Sequence, residues 1–176
     1  ALQAYASRNS ELWSIAYATI KNANGVIYQY KKMEDAGDVF SDEDLAAYAQ
    51  ALTMRGYYYF QMMYLFSTSM ADESPNARYG GAGGNDFRLI PYYDGSDAQI
   101  NQETGFIAEQ DLSTYGFIHE AITADLTKAI ALFDSVNYVR PLKLYFDGDV
   151  ARGILAYNLL HSRNPETQLN DYKLAY

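Results

Sequence analysis

Apolar side chains recur every three or four positions along most of the chain, and this spacing predicts four helices and the start of a fifth. The first is predicted from about Asn9 to Glu34, with the stripe Trp13, Tyr17, Ile20, Ala23/Asn24 and Ile27. Gly37 offers a stop, and the Lys31-Lys32 pair suits a helix C-terminus. The second helix opens at Ser41, a capping residue, with Asp44 three positions on and Asp42 and Glu43 at the positive end of the dipole. It runs through Leu45, Tyr48/Ala49, Leu52, Gly56, Tyr59/Phe60 and Met63 to Phe66. A glycine inside a helix costs about 1 kcal/mol against alanine, so Gly56 predicts a neighbouring helix at close approach. The third helix is predicted from near Ser113, with Tyr115, Ile118, Ile122, Leu126, Ala129/Ile130 and Phe133 on one stripe. The fourth starts near Asp147 or Asp149, carries Val150, Ile154, Tyr157 and His161, and stops before Pro165. Residues 171–176 open a fifth. Helices arranged in this way give an all-α fold of tetratricopeptide-like antiparallel helix pairs, although no strict repeat is visible.

The pattern is interrupted from about Thr68 to Gln110 by Pro75, the run Gly80-Gly81-Ala82-Gly83-Gly84, Pro91 and Asp94-Gly95-Ser96-Asp97. So long a loop within a compact domain is functional or disordered, and its aromatic residues Tyr79, Phe87, Tyr92 and Tyr93 argue against plain disorder.

Composition narrows the function. Eighteen tyrosines dominate the aromatic content, and a phenol needs a polar partner wherever its ring is buried, which suggests a large half-wet aromatic surface. Such rings suit sugars, whose C–H faces stack while hydroxyls remain at the rim. A net charge of −9 repels a phosphate backbone and anionic membranes, so nucleic acid is not an expected partner. The absence of cysteine excludes disulfides and thiolate metal sites. No apolar run approaches the roughly 20 residues needed to cross a bilayer, and the opening residues do not form a signal peptide.

Catalytic constellations are absent from the sequence. His119 and His161 lack the HExxH spacing of a zinc site and read as polar edge residues. No serine stands in a GxSxG elbow, and the glycine-rich loop lacks the GK[ST] ending of a phosphate cradle. Carboxylate pairs suitable for a glycosidase arise freely among 22 acidic residues and carry no signal. Asp94 with Asp97, or Asp147 with Asp149, could share a calcium ion, but neither pair follows the EF-hand pattern. No enzyme and no cofactor are indicated.

Three segments, taken in order, resemble the SusD/RagB family of nutrient-capture lipoproteins. The first is Trp13-(x3)-Tyr17-(x2)-Ile20-(x2)-Ala23-Asn24. The second is Ala51-Leu52-Thr53-Met54-Arg55-Gly56-Tyr57-Tyr58-Tyr59-Phe60, followed by the proline of Leu89-Ile90-Pro91. The third is Ile118-(x3)-Ile122-(x2)-Asp125-Leu126-(x2)-Ala129-(x2)-Leu132. The chain departs from the family at Gln50, where relatives carry Glu, and at Gly56, where alanine is usual. The resemblance covers roughly residues 10 to 176. It implies a partial SusD-like helical domain, residues 1–176, from the N-terminal half of a longer protein whose lipid-bearing cysteine and C-terminal region lie outside it.

The resemblance further implies a protein anchored by lipid to the outer face of a Gram-negative outer membrane. There it would capture oligosaccharides or other nutrients and pass them to a TonB-dependent barrel. Expected ligand-binding residues are the loop aromatics Tyr79, Phe87, Tyr92 and Tyr93, with Asn85 and Arg88 for hydroxyls and Asn76 and Asp94 nearby. Tyr92 and Tyr93 could equally fasten the loop to the helices. Arg55, in mid-helix among aromatics, reads as structural, either stacked on a ring or bonded to helix-end carbonyls. The alternative function is a helical-repeat scaffold that binds a protein partner.

Overall fold

The structure, a computed structural model, describes residues 2–66, 88–100, 107–162 and 168–175. Among these residues the chain forms five helices and one two-stranded ribbon. In order they are α1 (Leu2–Ala36), α2 (Asp42–Phe66), β1 (Arg88–Pro91), β2 (Leu112–Thr114), α3 (Tyr115–Ser135), α4 (Gly148–Leu160) and α5 (Gln168–Ala175). Each helix packs chiefly on its neighbour in sequence, and α2 lies between α1 and α3. The all-α architecture of helix pairs expected from the spacing is therefore present.

The helix ends follow from local chemistry. α1 begins at Leu2, well before Asn9, and closes at Gly37, which takes φ +80°. There Gly37 N donates to the Glu34 carbonyl and Asp38 N to that of Met33, the paired bonds of a Schellman motif. Because the helix runs on to Ala36, Lys31 and Lys32 lie short of its last turn; Lys32 Nζ sits 5.0 Å from the ring centre of Tyr28 instead. α2 starts with a reciprocal cap: Asp44 N donates to Ser41 Oγ at 3.2 Å, and Ser41 N donates to Asp44 Oδ2 at 3.1 Å. The Ser41 hydroxyl and backbone N–H, both donating to its carboxylate, hold Asp44 below its ordinary pKa. Thr114 caps α3 by accepting from Phe117 N, and Asp147 caps α4 by accepting from Val150 N.

The core lies along both faces of α2. Ile20, Leu52, Tyr59, Met62, Ile118, Ile122, Leu126 and Phe133 are all fully buried there. At the α2–α3 seam, a Cβ added to Gly56 would fall 3.1 Å from Leu126 Cγ. That is the close approach which the mid-helix glycine predicts.

α4 departs from its predicted stripe. Its buried residues include Ala151, Asn158 and Leu159, while Tyr157 is 63% exposed and His161 lies just beyond the helix end. Polarity misleads here because the Asn158 amide nitrogen finds its partners inside the seam. Its Nδ2 donates to the His119 carbonyl at 3.1 Å and to Thr123 Oγ1 at 2.9 Å.

The interruption between α2 and α3 is partly ordered by pairing. β1 runs antiparallel to β2, with a bulge between Arg88 and Ile90, and fully buried Ile90 fixes the ribbon to the helices. β2 leads directly into α3, so residues 91–99 are returned across α1 and α2. A short 3-10 turn (Asp97–Gln99) and an Ile100–Ile107 bridge complete the described part. No helix among the described residues is long and apolar enough to cross a membrane.

Candidate functional site

The segment from Pro91 to Gln99 is bonded to the helices through the backbones of Pro91, Tyr93 and Asp94, and to itself within the turn. Tyr17 donates its phenol to the Pro91 carbonyl at 2.8 Å. Tyr59 Oη accepts from Tyr93 N at 2.7 Å and donates to the Tyr93 carbonyl at 3.0 Å. Asn24 Nδ2 donates to the same carbonyl at 2.7 Å. Within the turn, Gln99 Oε1 accepts from Asp94 N, and Gln99 Nε2 donates to the Tyr92 carbonyl. Gly95 takes φ +76°, and a Cβ there would lie 2.7 Å from Asn24 Cβ, so glycine is required for both backbone and space.

Arg55 stands behind this segment. Its Nε and Nη2 donate to Asp125 Oδ2 and Oδ1 at 2.7 and 2.6 Å, a bidentate pair almost out of solvent. Its Nη1 donates to Asn24 Oδ1 at 3.0 Å and to the Asp94 carbonyl at 3.3 Å. The expectation of ring stacking or helix-end carbonyls is corrected accordingly: the partners are a carboxylate, an amide and a loop carbonyl. Burial disfavours the charged guanidinium, but bonding to Asp125 and its charge outweigh that, and the Arg55 pKa is raised. Asn24, Arg55 and Asp125 each belong to a different one of the three segments singled out in the sequence.

The rings fall on two sides of this network. Tyr92 stacks on Tyr59 with centroids 4.7 Å apart and meets Phe117 edge-on at 5.2 Å. Burial pushes its phenol up to about 12, and it raises the Tyr17 and Tyr59 phenols further still, so all three remain neutral. Tyr93 lies edge-on to Tyr17 at 5.7 Å, and Tyr17 is 5.0 Å from Trp13. These three rings line an open groove of about 610 Å³, completed by Lys21, Pro91 and Ile107 among others.

Of the expected ligand-binding residues, Tyr92 and Tyr93 are thus held by the helices, and of these two Tyr93 lines the groove. Tyr79, Asn85 and Phe87 lie outside the described residues, as does Asn76. Arg88 is placed by its backbone, opposite Thr114 in the ribbon. The Asp94 side chain accepts from Ser96 N within the turn. Trp13, Tyr17 and Lys21 emerge only from the structure. Their one legible signal was that Trp13 and Tyr17 are the largest members of the α1 stripe, with polar atoms that a closed core would have to satisfy.

The remaining polar candidates have local partners. His119 is buried rather than at an edge, its Nε2 2.9 Å from the Asn158 carbonyl, and burial lowers its pKa. His161 Nδ1 lies 2.7 Å from the Tyr157 carbonyl. Asp97 accepts the Tyr28 hydroxyl, Asp147 pairs with Arg140, and Asp149 pairs with Arg152. Among the described residues, no group of three or more histidine or acidic side chains is gathered to hold a metal ion.

Comparison with known proteins follows the same lines. No curated protein matches the sequence. A SusD-like carbohydrate-binding protein of Bacteroides vulgatus superposes with a TM-score of 0.64 at 25% identity, over 93% of this chain and 30% of that one. A SusD-superfamily protein of Bacteroides thetaiotaomicron gives 0.58 at 20% identity, over 93% and 29%. A SusD-like protein of Bacteroides fragilis gives 0.54 at 17%, over 95% and 27%. The latter two likenesses concern the fold, and the chain spans less than a third of the length of all three. In sequence, residues 1–151 match the SusD-like family described as starch-binding and associating with the outer membrane. The chain belongs to that SusD-like family.

Proposed function

We propose that this chain is the helical part of a cell-surface protein that captures oligosaccharides without transforming them. The protein then hands them to a TonB-dependent outer-membrane transporter, while a lipid anchor outside this segment holds it to the membrane. The groove of Trp13, Tyr17 and Tyr93 carries the reading: it gathers three aromatic rings at an open surface, the kind of lining on which the apolar face of a pyranose stacks. The carbohydrate-binding relative from B. vulgatus supports the same ligand class. Tyr79, Asn85, Phe87 and Arg88 are proposed from the sequence as further ligand contacts, the rings for stacking and the amide and guanidinium groups for sugar hydroxyls. Stacking and hydroxyl bonding hold a glycan without any catalytic group, so the protein acts by binding and release.

The test is migration of the full-length protein through native gels cast with amylopectin, xylan, pectin or mucin. The reading expects retardation by at least one of these and loss of that retardation in Trp13→Ala. Free migration in all four gels would refute capture.

A further inference from the structure

We propose that Arg55 and Asp125 are positioning residues for ligand capture, a role that rests on the glycan-binding reading above. Through Asn24 and the Asp94 carbonyl, the buried pair fixes the turn at Gly95, and with it the ring of Tyr93 at the groove.

The chain of contacts is continuous. Asp125, on α3, orients the Arg55 guanidinium in a bidentate fork. The free Nη1 edge of that fork then bonds Asn24 Oδ1 and the Asp94 carbonyl, joining α1 and the loop to α2. With its Oδ1 held, the Asn24 amide can present only its NH₂ group to the Tyr93 carbonyl, at 2.7 Å. The amide also closes the space over Gly95, which admits no Cβ there.

Asn24 lines the groove, but Arg55 and Asp125 do not. Their combined effect is that Tyr93 already occupies its bound position before a ligand arrives. A loop freed from them must be ordered by the ligand, at a cost set by the side chains that become immobilised. A buried ion pair is a poor source of net stability, since well-packed apolar residues of similar volume commonly replace one without loss. Its presence beneath a loop that carries a groove residue points to geometry as its role.

That property also supplies the test. In the full-length protein, Arg55→Met with Asp125→Leu fills the same space without the charge. Gln99→Met loosens the same turn from the surface side, away from the core, and decides the matter if the paired variant does not fold. Calorimetric titration uses maltoheptaose if amylopectin retards the wild type, and otherwise a matching oligosaccharide of xylan, pectin or mucin. The expected result is a melting temperature close to wild type with affinity weakened roughly fivefold to tenfold, the loss appearing in the binding entropy. Added to Tyr93→Ala, the same changes should weaken binding little further, because the ring they position is gone. Wild-type affinity in the folded variants would overturn the inference while leaving capture intact. Failure of the wild-type protein to bind any of the glycans would overturn capture, and this inference with it.

Discussion

Arg55 and Gly56 are neighbours in α2, yet they hold that helix to its surroundings by opposite means. Gly56 contributes nothing but room, and Leu126 of α3 fills it at van der Waals contact. Arg55 contributes a charge satisfied by four directional hydrogen bonds, and it holds α1, α3 and the Pro91–Gln99 segment at once. The apolar seam is non-directional and tolerates small shifts. The polar one is directional, and a part missing from it leaves another unsatisfied. A helix pair needs the first kind of contact, whereas an irregular segment, whose backbone cannot bond to itself, needs the second.

The strongest way to break the comparison is Arg55→Ala. It leaves the Asp125 carboxylate buried without its partner and should cost about 3–5 kcal/mol in chemical denaturation. The penalty should depend on pH. Burial raises the Asp125 pKa above the ordinary carboxylate range, and in the variant Arg55 no longer opposes that rise. The neutral acid is the form the buried site accepts. The variant's deficit relative to wild type should therefore be smallest below about pH 4 and grow as pH rises through the folded-state pKa. A deficit independent of pH between 4 and 7 would remove the charge from the explanation.

Gly56→Leu attacks the other seam. Overpacking against Leu126 should cost about 3 kcal/mol and separate α2 from α3, with no dependence on pH. Gly95→Ala is expected to cost somewhat less, about 2 kcal/mol, because the strain of a positive φ and the clash with Asn24 Cβ are confined to one turn. Hydrogen exchange should then quicken at residues 92–99 while the α2–α3 seam keeps its protection. Equal quickening in both places would show that the two attachments are not separable. The smallest effect belongs to Lys128→Met, which removes a surface pair with Glu34 and a cation–ring contact with Tyr48. It should change stability by no more than about 1 kcal/mol, with the difference shrinking in high salt.

The same contrast explains what could be read from the sequence. Apolar periodicity predicted α1, α2 and α3 and the crowding at Gly56, because repeated burial leaves a repeated mark. It misplaced the buried face of α4, where Asn158 takes a core position through bonds to His119 and Thr123 that no spacing reveals. Asn24, Arg55 and Asp125 were each visible within a motif, but their convergence joins residues 31 and 70 positions apart and has no period. Tyr93 was named as a loop aromatic. Its groove partners Trp13 and Tyr17 show in the sequence only the spacing of the α1 stripe. Sequence spacing does not say where a stripe runs out from under its cover.

The most direct measurement compares the full-length wild-type protein with Tyr93→Ala in native gels cast with the glycan that retards the wild type. The account predicts a retarded wild type and a freely migrating variant with the same melting temperature. Equal retardation of the two would contradict it, showing that the glycan is held away from the groove the loop is built to complete.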